Sequence, residues 1–156
     1  MAKSNLMERV ANDLAKGHTH PAKQRLHSLI AAHPTDLDLR RQLADVYRQT
    51  GDLVEAGRWS YLDEDCDPFE ILAFERAYHA PAGRRIALRW PGDALAPTDF
   101  VRRRLAELPP LREAQAATSL RNRLKIRLSW ARLSGAAVLC GLAGVGVYAI
   151  VERFVH

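Results

Sequence analysis

Apolar residues recur at helical spacing through the first half of the chain. Leu6, Val10 and Leu14 make one apolar face, and Leu26, Leu29 and Ile30 make another after Pro21. Leu39, Leu43 and Tyr47 form a third, and Ala56, Trp59 and Leu62 a fourth. The breaks fall where helices are expected to stop: Gly17 after the first face, Pro34 after the second, and Thr50-Gly51-Asp52 after the third. A further helix is predicted from Phe69 to about Tyr78, with Ile71, Leu72 and Phe74 apolar and Pro81 and Gly83 ending it.

These elements repeat. Gly17 and Gly51, Ala22 and Ala56, and Pro34 and Pro68 are three pairs that share one offset of 34 residues. Each unit is a helix, a turn and a second helix. In glycine, alanine and closing proline the pattern resembles the tetratricopeptide repeat over residues 3 to 79, although Leu6 and Arg40 stand where that repeat places an early aromatic. The stretch from Gly51 to Leu62 is also similar to an uncharacterised family of small bacterial proteins. The resemblance implies stacked helical hairpins and a groove for a peptide or protein partner, with Arg40, Arg41, Tyr47 and Arg48 lining it.

So few hairpins leave an apolar face that needs a cover, because stacked repeats bury their surfaces against neighbours. The short apolar run Ile86-Ala87-Leu88-Arg89-Trp90, and a helix opened by Thr98-Asp99 that carries Phe100, Val101, Leu105 and Leu108, are placed to supply it. Pro109-Pro110 closes that helix, and a more polar one follows from Leu111.

Beyond this point the pattern changes. From Leu133 to Val151 the chain has 19 consecutive uncharged residues, close to the ~20 that a helix needs to cross a bilayer. Five positive charges precede it, Arg121, Arg123, Lys125, Arg127 and Arg132, with no acidic residue among them. That asymmetry predicts a single span in the cytoplasmic (inner) membrane with the N-terminal domain in the cytoplasm, the basic run lying against anionic lipid. Ala136, Cys140 and Gly144, with Ala137 and Gly141, recur every four residues and would let two such helices pack closely as a homo-oligomer. The expected fold is therefore all-α: a short repeat domain over 1–80, a capping segment over 81–110, a basic juxtamembrane helix over 111–132 and a transmembrane helix over 133–152.

Composition adds constraints. At 47% hydrophobic and 26% charged the chain has a globular balance. The net charge of +5 is concentrated in clusters without interleaved aromatics, which disfavours nucleic acid as a partner. Cys66 and Cys140 lie in unlike surroundings, so no disulfide and a reducing compartment are expected. The acidic run Asp63-Glu64-Asp65-Cys66-Asp67 begins like a calcium loop but has Pro68 and Phe74 where glycine and glutamate are required; it reads instead as a solvated turn or a contact for a basic partner. His18 and His20 lack the further ligands a metal site needs. With no phosphate loop or catalytic constellation evident, no enzyme activity and no cofactor are expected. The functional expectation is a membrane-anchored interaction adaptor; the alternatives are an oligomerising subunit of a larger membrane assembly and a small membrane-active effector.

Overall fold

The structure is a computed structural model that describes residues 2–121. Every regular element among them is helical: α1 (Ala2–Ala15), α2 (Thr19–Ala32), α3 (Leu37–Gln49), α4 (Leu53–Ser60), α5 (Pro68–Ala77), α6 (Pro81–Ala87) and α7 (Asp99–Ala106), with one 3-10 turn at Asp93–Leu95. The chain is helical again over residues 111–121. Helices α1 to α7 all lie in one compact unit, Met1–Gln115.

The 34-residue repeat extends to individual hydrogen bonds. Gly17 and Gly51 both adopt φ of 74°, the left-handed conformation that costs glycine least. At the first turn the His18 N–H donates to the Asp13 carbonyl at 2.8 Å and the Gly17 N–H to Leu14 at 3.0 Å; at the second, Asp52 donates to Tyr47 at 3.0 Å and Gly51 to Arg48 at 3.1 Å. Both turns are Schellman motifs, which satisfy carbonyls that a helix end leaves open. Three small or aliphatic side chains are fully buried behind them: Ala22 and Ala56, both 0% exposed, and Leu43, against which the helices close.

Side-chain caps begin the later helices. Asp36 accepts from the Leu39 N–H at 3.2 Å, Asp52 from Glu55 at 3.0 Å, Asp67 from Phe69 at 2.8 Å and Thr98 from Val101 at 3.2 Å.

Two prolines one repeat apart do different jobs. Pro34 lies in the turn before α3, whereas Pro68 is the first residue of α5, where a missing N–H costs nothing. Helix α2 has 14 residues but α4 only eight. Continuing α4 to match would put Asp63, Glu64 and Asp65 together at a helix C-terminus, the end whose dipole repels negative charge. The chain turns instead, and Tyr61 and Leu62 enter a second core. Pro81 likewise opens α6 rather than ending α5, and Gly83 lies inside α6.

The buried apolar residues form two clusters. The first, from α1 to α4, holds Val10, Leu26, Leu29, Leu39, Leu43 and Trp59; the second, from the end of α4 to beyond α7, holds Tyr61, Phe74, Leu88, Trp90, Val101 and Leu105. In α5, Ile71 and Phe74 are buried whereas Leu72 is 42% exposed.

The fold class is corrected in one respect. No helix among the described residues is long and apolar enough to cross a membrane. The longest, α1 and α2, have 14 residues each and therefore run about 21 Å, against the ~30 Å of a bilayer core, and both carry charged residues. The single transmembrane, tail-anchoring helix is thus not part of the observed fold, which is all-helical and repeat-like. The stretch that motivated it, residues 133–152 with Ala136, Ala137, Cys140, Gly141 and Gly144, lies outside the described residues, as do Arg123, Lys125, Arg127 and Arg132; Arg121 is exposed on the last described helical turn.

Candidate functional site

The four residues of α3 assigned to a groove go to three different places. Arg40 is not on an open surface at all: it is 2% exposed and joins the two cores. Its guanidinium carbon sits 5.4 Å from the ring centre of Trp59 in the first cluster and 5.0 Å from that of Trp90 in the second. Its N–H groups donate to the Pro34 carbonyl at 3.0 and 3.1 Å, to Leu88 at 2.9 Å and to Arg89 at 3.3 Å. Arg58 donates to the Ala87 carbonyl at 2.6 Å. Two arginines from α3 and α4 thereby take three successive carbonyls at the end of α6, groups that would otherwise be left without partners. Burial without a carboxylate pulls the pKa of Arg40 down to about 10, and nearby Arg58 adds to the effect. It remains a cation at neutral pH.

Arg41 and Arg48 pair outward. Arg41 makes a two-pronged contact with Asp63, at 2.6 and 2.9 Å, and this hydrogen-bonded pair holds the Asp63 carboxyl below the usual carboxylate range. Arg48 grips Glu70 at 2.5 and 2.7 Å; Glu70 is 1% exposed, so the contact neutralises a buried charge where α3 meets α5. Both ties fasten the acidic turn and α5 to the repeat rather than leaving free cations for a ligand.

Tyr47 belongs to a third group. The His27 ring lies 3.1 Å from the Tyr47 hydroxyl, edge-on to Trp59 at 5.2 Å, and Lys23 lies 4.4 Å over the Tyr47 ring. Burial holds the His27 pKa below its ordinary value, with Arg89, Arg58 and Lys23 adding to the depression and Glu55 opposing it. The unfolded chain therefore takes up this proton at a higher pH than the folded chain does, so stability falls on acidification through about pH 6.5. Urea titrations at pH 7 and pH 5.5 are expected to show a smaller loss in His27→Gln than in the parent.

The remaining feature lies at the corner between α4 and α5. A cleft of about 360 Å³ is lined by Cys66, Pro68, Ile71, Leu72, Glu75 and Arg104. Beside it Phe69 stands 78% exposed. Glu64, Asp65 and Asp67 are exposed on the turn leading into it. Burial pushes the Cys66 thiol up, which argues against an activated nucleophile. The acidic run was legible in the sequence; that Phe69 faces outward was not, because a helix of this composition is apolar nearly all round.

Among the described residues no cluster of three or more metal-ligating side chains occurs. Compared with known proteins, residues 1–152 match the model of a family of unknown function, DUF6584. No curated protein and no solved structure matches.

Proposed function

The chain belongs to the DUF6584 family, whose function is unknown, and we propose that it is a protein-interaction module. In this reading a short helical repeat of the tetratricopeptide kind presents the α4–α5 corner to an amphipathic, basic segment of a partner. The observation that carries it is Phe69, a large aromatic 78% exposed beside an apolar-lined cleft and three exposed carboxylates. A single exposed apolar side chain is ordinary, but Phe69 stands with the half-exposed Leu72 and the cleft it lines as one apolar patch, and aromatic anchors dominate interface energetics. The carboxylates select the sign of the partner's charge and steer its approach.

The proposal moves the contact surface away from Arg40, Arg41 and Arg48, whose donors are already engaged. It is tested by fluorescence anisotropy of the full chain with a labelled helical peptide of alternating Leu and Lys faces, and with its Glu-for-Lys counterpart. The Lys peptide is expected to bind saturably and the Glu peptide not. Phe69→Ser and Glu64→Lys should each weaken binding about tenfold, the scale of one hot-spot contact. Equal binding of the two peptides, or indifference to both substitutions, would overturn the reading.

A further inference from the structure

Away from the α4–α5 corner, the edge of Trp59 collects cations that the interaction surface does not use. Lys23 from α2 lies over the Tyr47 ring and donates to the Thr50 hydroxyl at 2.9 Å. Arg58 from α4 stacks on Trp59 at 4.9 Å. Arg89 follows α6, and its backbone is joined to Arg40, itself packed on Trp59. Facing them are the His27 ring and the Tyr47 hydroxyl, 3.1 Å apart and half-buried. Glu55 is the one carboxylate within contact of this group, paired with Arg58 and Trp59, and Asp52 lies farther along the same turn. Neither Lys23 nor Arg89 meets a carboxylate among the described residues.

Arg89 is unusual in its backbone as well. It ends α6 with φ of 49°, and its N–H donates to Ile86 at 3.1 Å. This is the left-handed position that glycine fills without strain and other residues adopt only at a cost. The turn is repaid by its neighbours, since Leu88 and Trp90 are both buried, and it leaves the Arg89 side chain itself exposed.

The geometry points to an oxyanion site in which Lys23, Arg58 and Arg89 hold a phosphoryl group while the hydrogen-bonded pair of His27 and Tyr47 donates its one remaining N–H or O–H to an oxygen. Three cations against one carboxylate leave two positive charges, the complement of a phosphate dianion rather than of a single carboxylate. Burial lowers the His27 pKa and the charges of Arg89, Arg58 and Lys23 add to it; a bound dianion would offset those charges, so the ring reports occupancy. The site is separate from the α4–α5 corner and stands whether or not that surface docks a partner.

The test is an NMR titration of the full chain with inorganic phosphate, a phosphoserine peptide, the same peptide unphosphorylated, and acetate, with the His27 resonance assigned through His27→Gln. Inorganic phosphate is expected to shift the His27 ring saturably and raise its pKa; acetate should not. If the phosphoserine peptide binds more tightly than phosphate the source is a modified partner, and if equally, a free phosphate compound; either supports the site. Arg89→Gly should weaken binding about tenfold, the loss of one charge-assisted contact, while the thermal midpoint holds or rises because strain is relieved. Lys23→Gln should weaken it similarly, and Arg102→Gln on α7 should not. A linear, unsaturated response, equal effects of phosphate and acetate, or full binding by Arg89→Gly would overturn the proposal.

Discussion

Replacing Gly57 by alanine is expected to destabilise the fold by about 3 kcal/mol, the upper part of the range for overpacking a closed core. The direction is opposite to the usual one, since alanine in place of glycine inside a helix ordinarily gains ~1 kcal/mol. The reason is local. A Cβ built on Gly57 would lie 2.0 Å from the backbone carbonyl oxygen of Glu70 and 2.5 Å from its carbon. Those atoms belong to α5 and cannot swing aside as a side chain would. Helices α4 and α5 must separate, and separation disturbs the hold of Arg48 on the buried Glu70 carboxylate. Gly83→Ala in α6 is the matched control: nothing lies within 4 Å of its Cβ position, so it should be neutral or slightly stabilising. Urea denaturation of both variants checks the contrast, and a Gly57→Ala protein as stable as its parent would mean the helices do not approach this closely.

The second large effect is expected at Arg40. Arg40→Ala removes the donors to the buried Leu88 carbonyl and to the partly buried carbonyls of Pro34 and Arg89. It also opens a cavity between Trp59 and Trp90. Together these should cost about 3–5 kcal/mol, as when one member of a buried polar network is deleted. Arg40→Lys should recover little, because an ammonium cannot reach separate carbonyls on two sides while lying flat between two indoles. Hydrogen exchange locates the damage: amides of α6 and α7 should lose protection more than those of α1 and α2. Uniform loss across all helices would show that the two clusters are a single cooperative body whatever links them.

The contrast between these positions explains what the sequence made legible. The repeat was readable because glycine, alanine and aliphatic spacing answer to local rules; Gly17 and Gly51 need a left-handed backbone, and Ala22 and Ala56 need to be small, wherever the rest of the chain goes. Asp36, Asp52, Asp67 and Thr98 announce their caps for the same reason. Arg40 could not be read in this way. It occupies a position where a repeat of this kind expects an aromatic, and only the arrival of residues 87–90, nearly fifty positions later, turns it from a surface cation into a buried one. Pro81 misled because a proline two or three residues past an apolar run ends one helix and begins another with equal ease. The long uncharged run near the C-terminus carried the signal for a membrane span and lies outside the described residues, among which no helix is long and apolar enough to be one.

The shortness of α4 has a last consequence. Were this helix as long as its counterpart α2, it would run six residues further, about 9 Å, and residues 61–66 would lie along its axis. The chain instead leaves early, swings through the acidic turn and restarts at Pro68, which sets Phe69 on the outside of the first turn of α5. A perfect second copy of the hairpin would have had no such corner. What distinguishes this molecule from an open-ended stack is therefore an interruption, and the most outward-facing aromatic among the described residues is a product of the place where the internal symmetry fails.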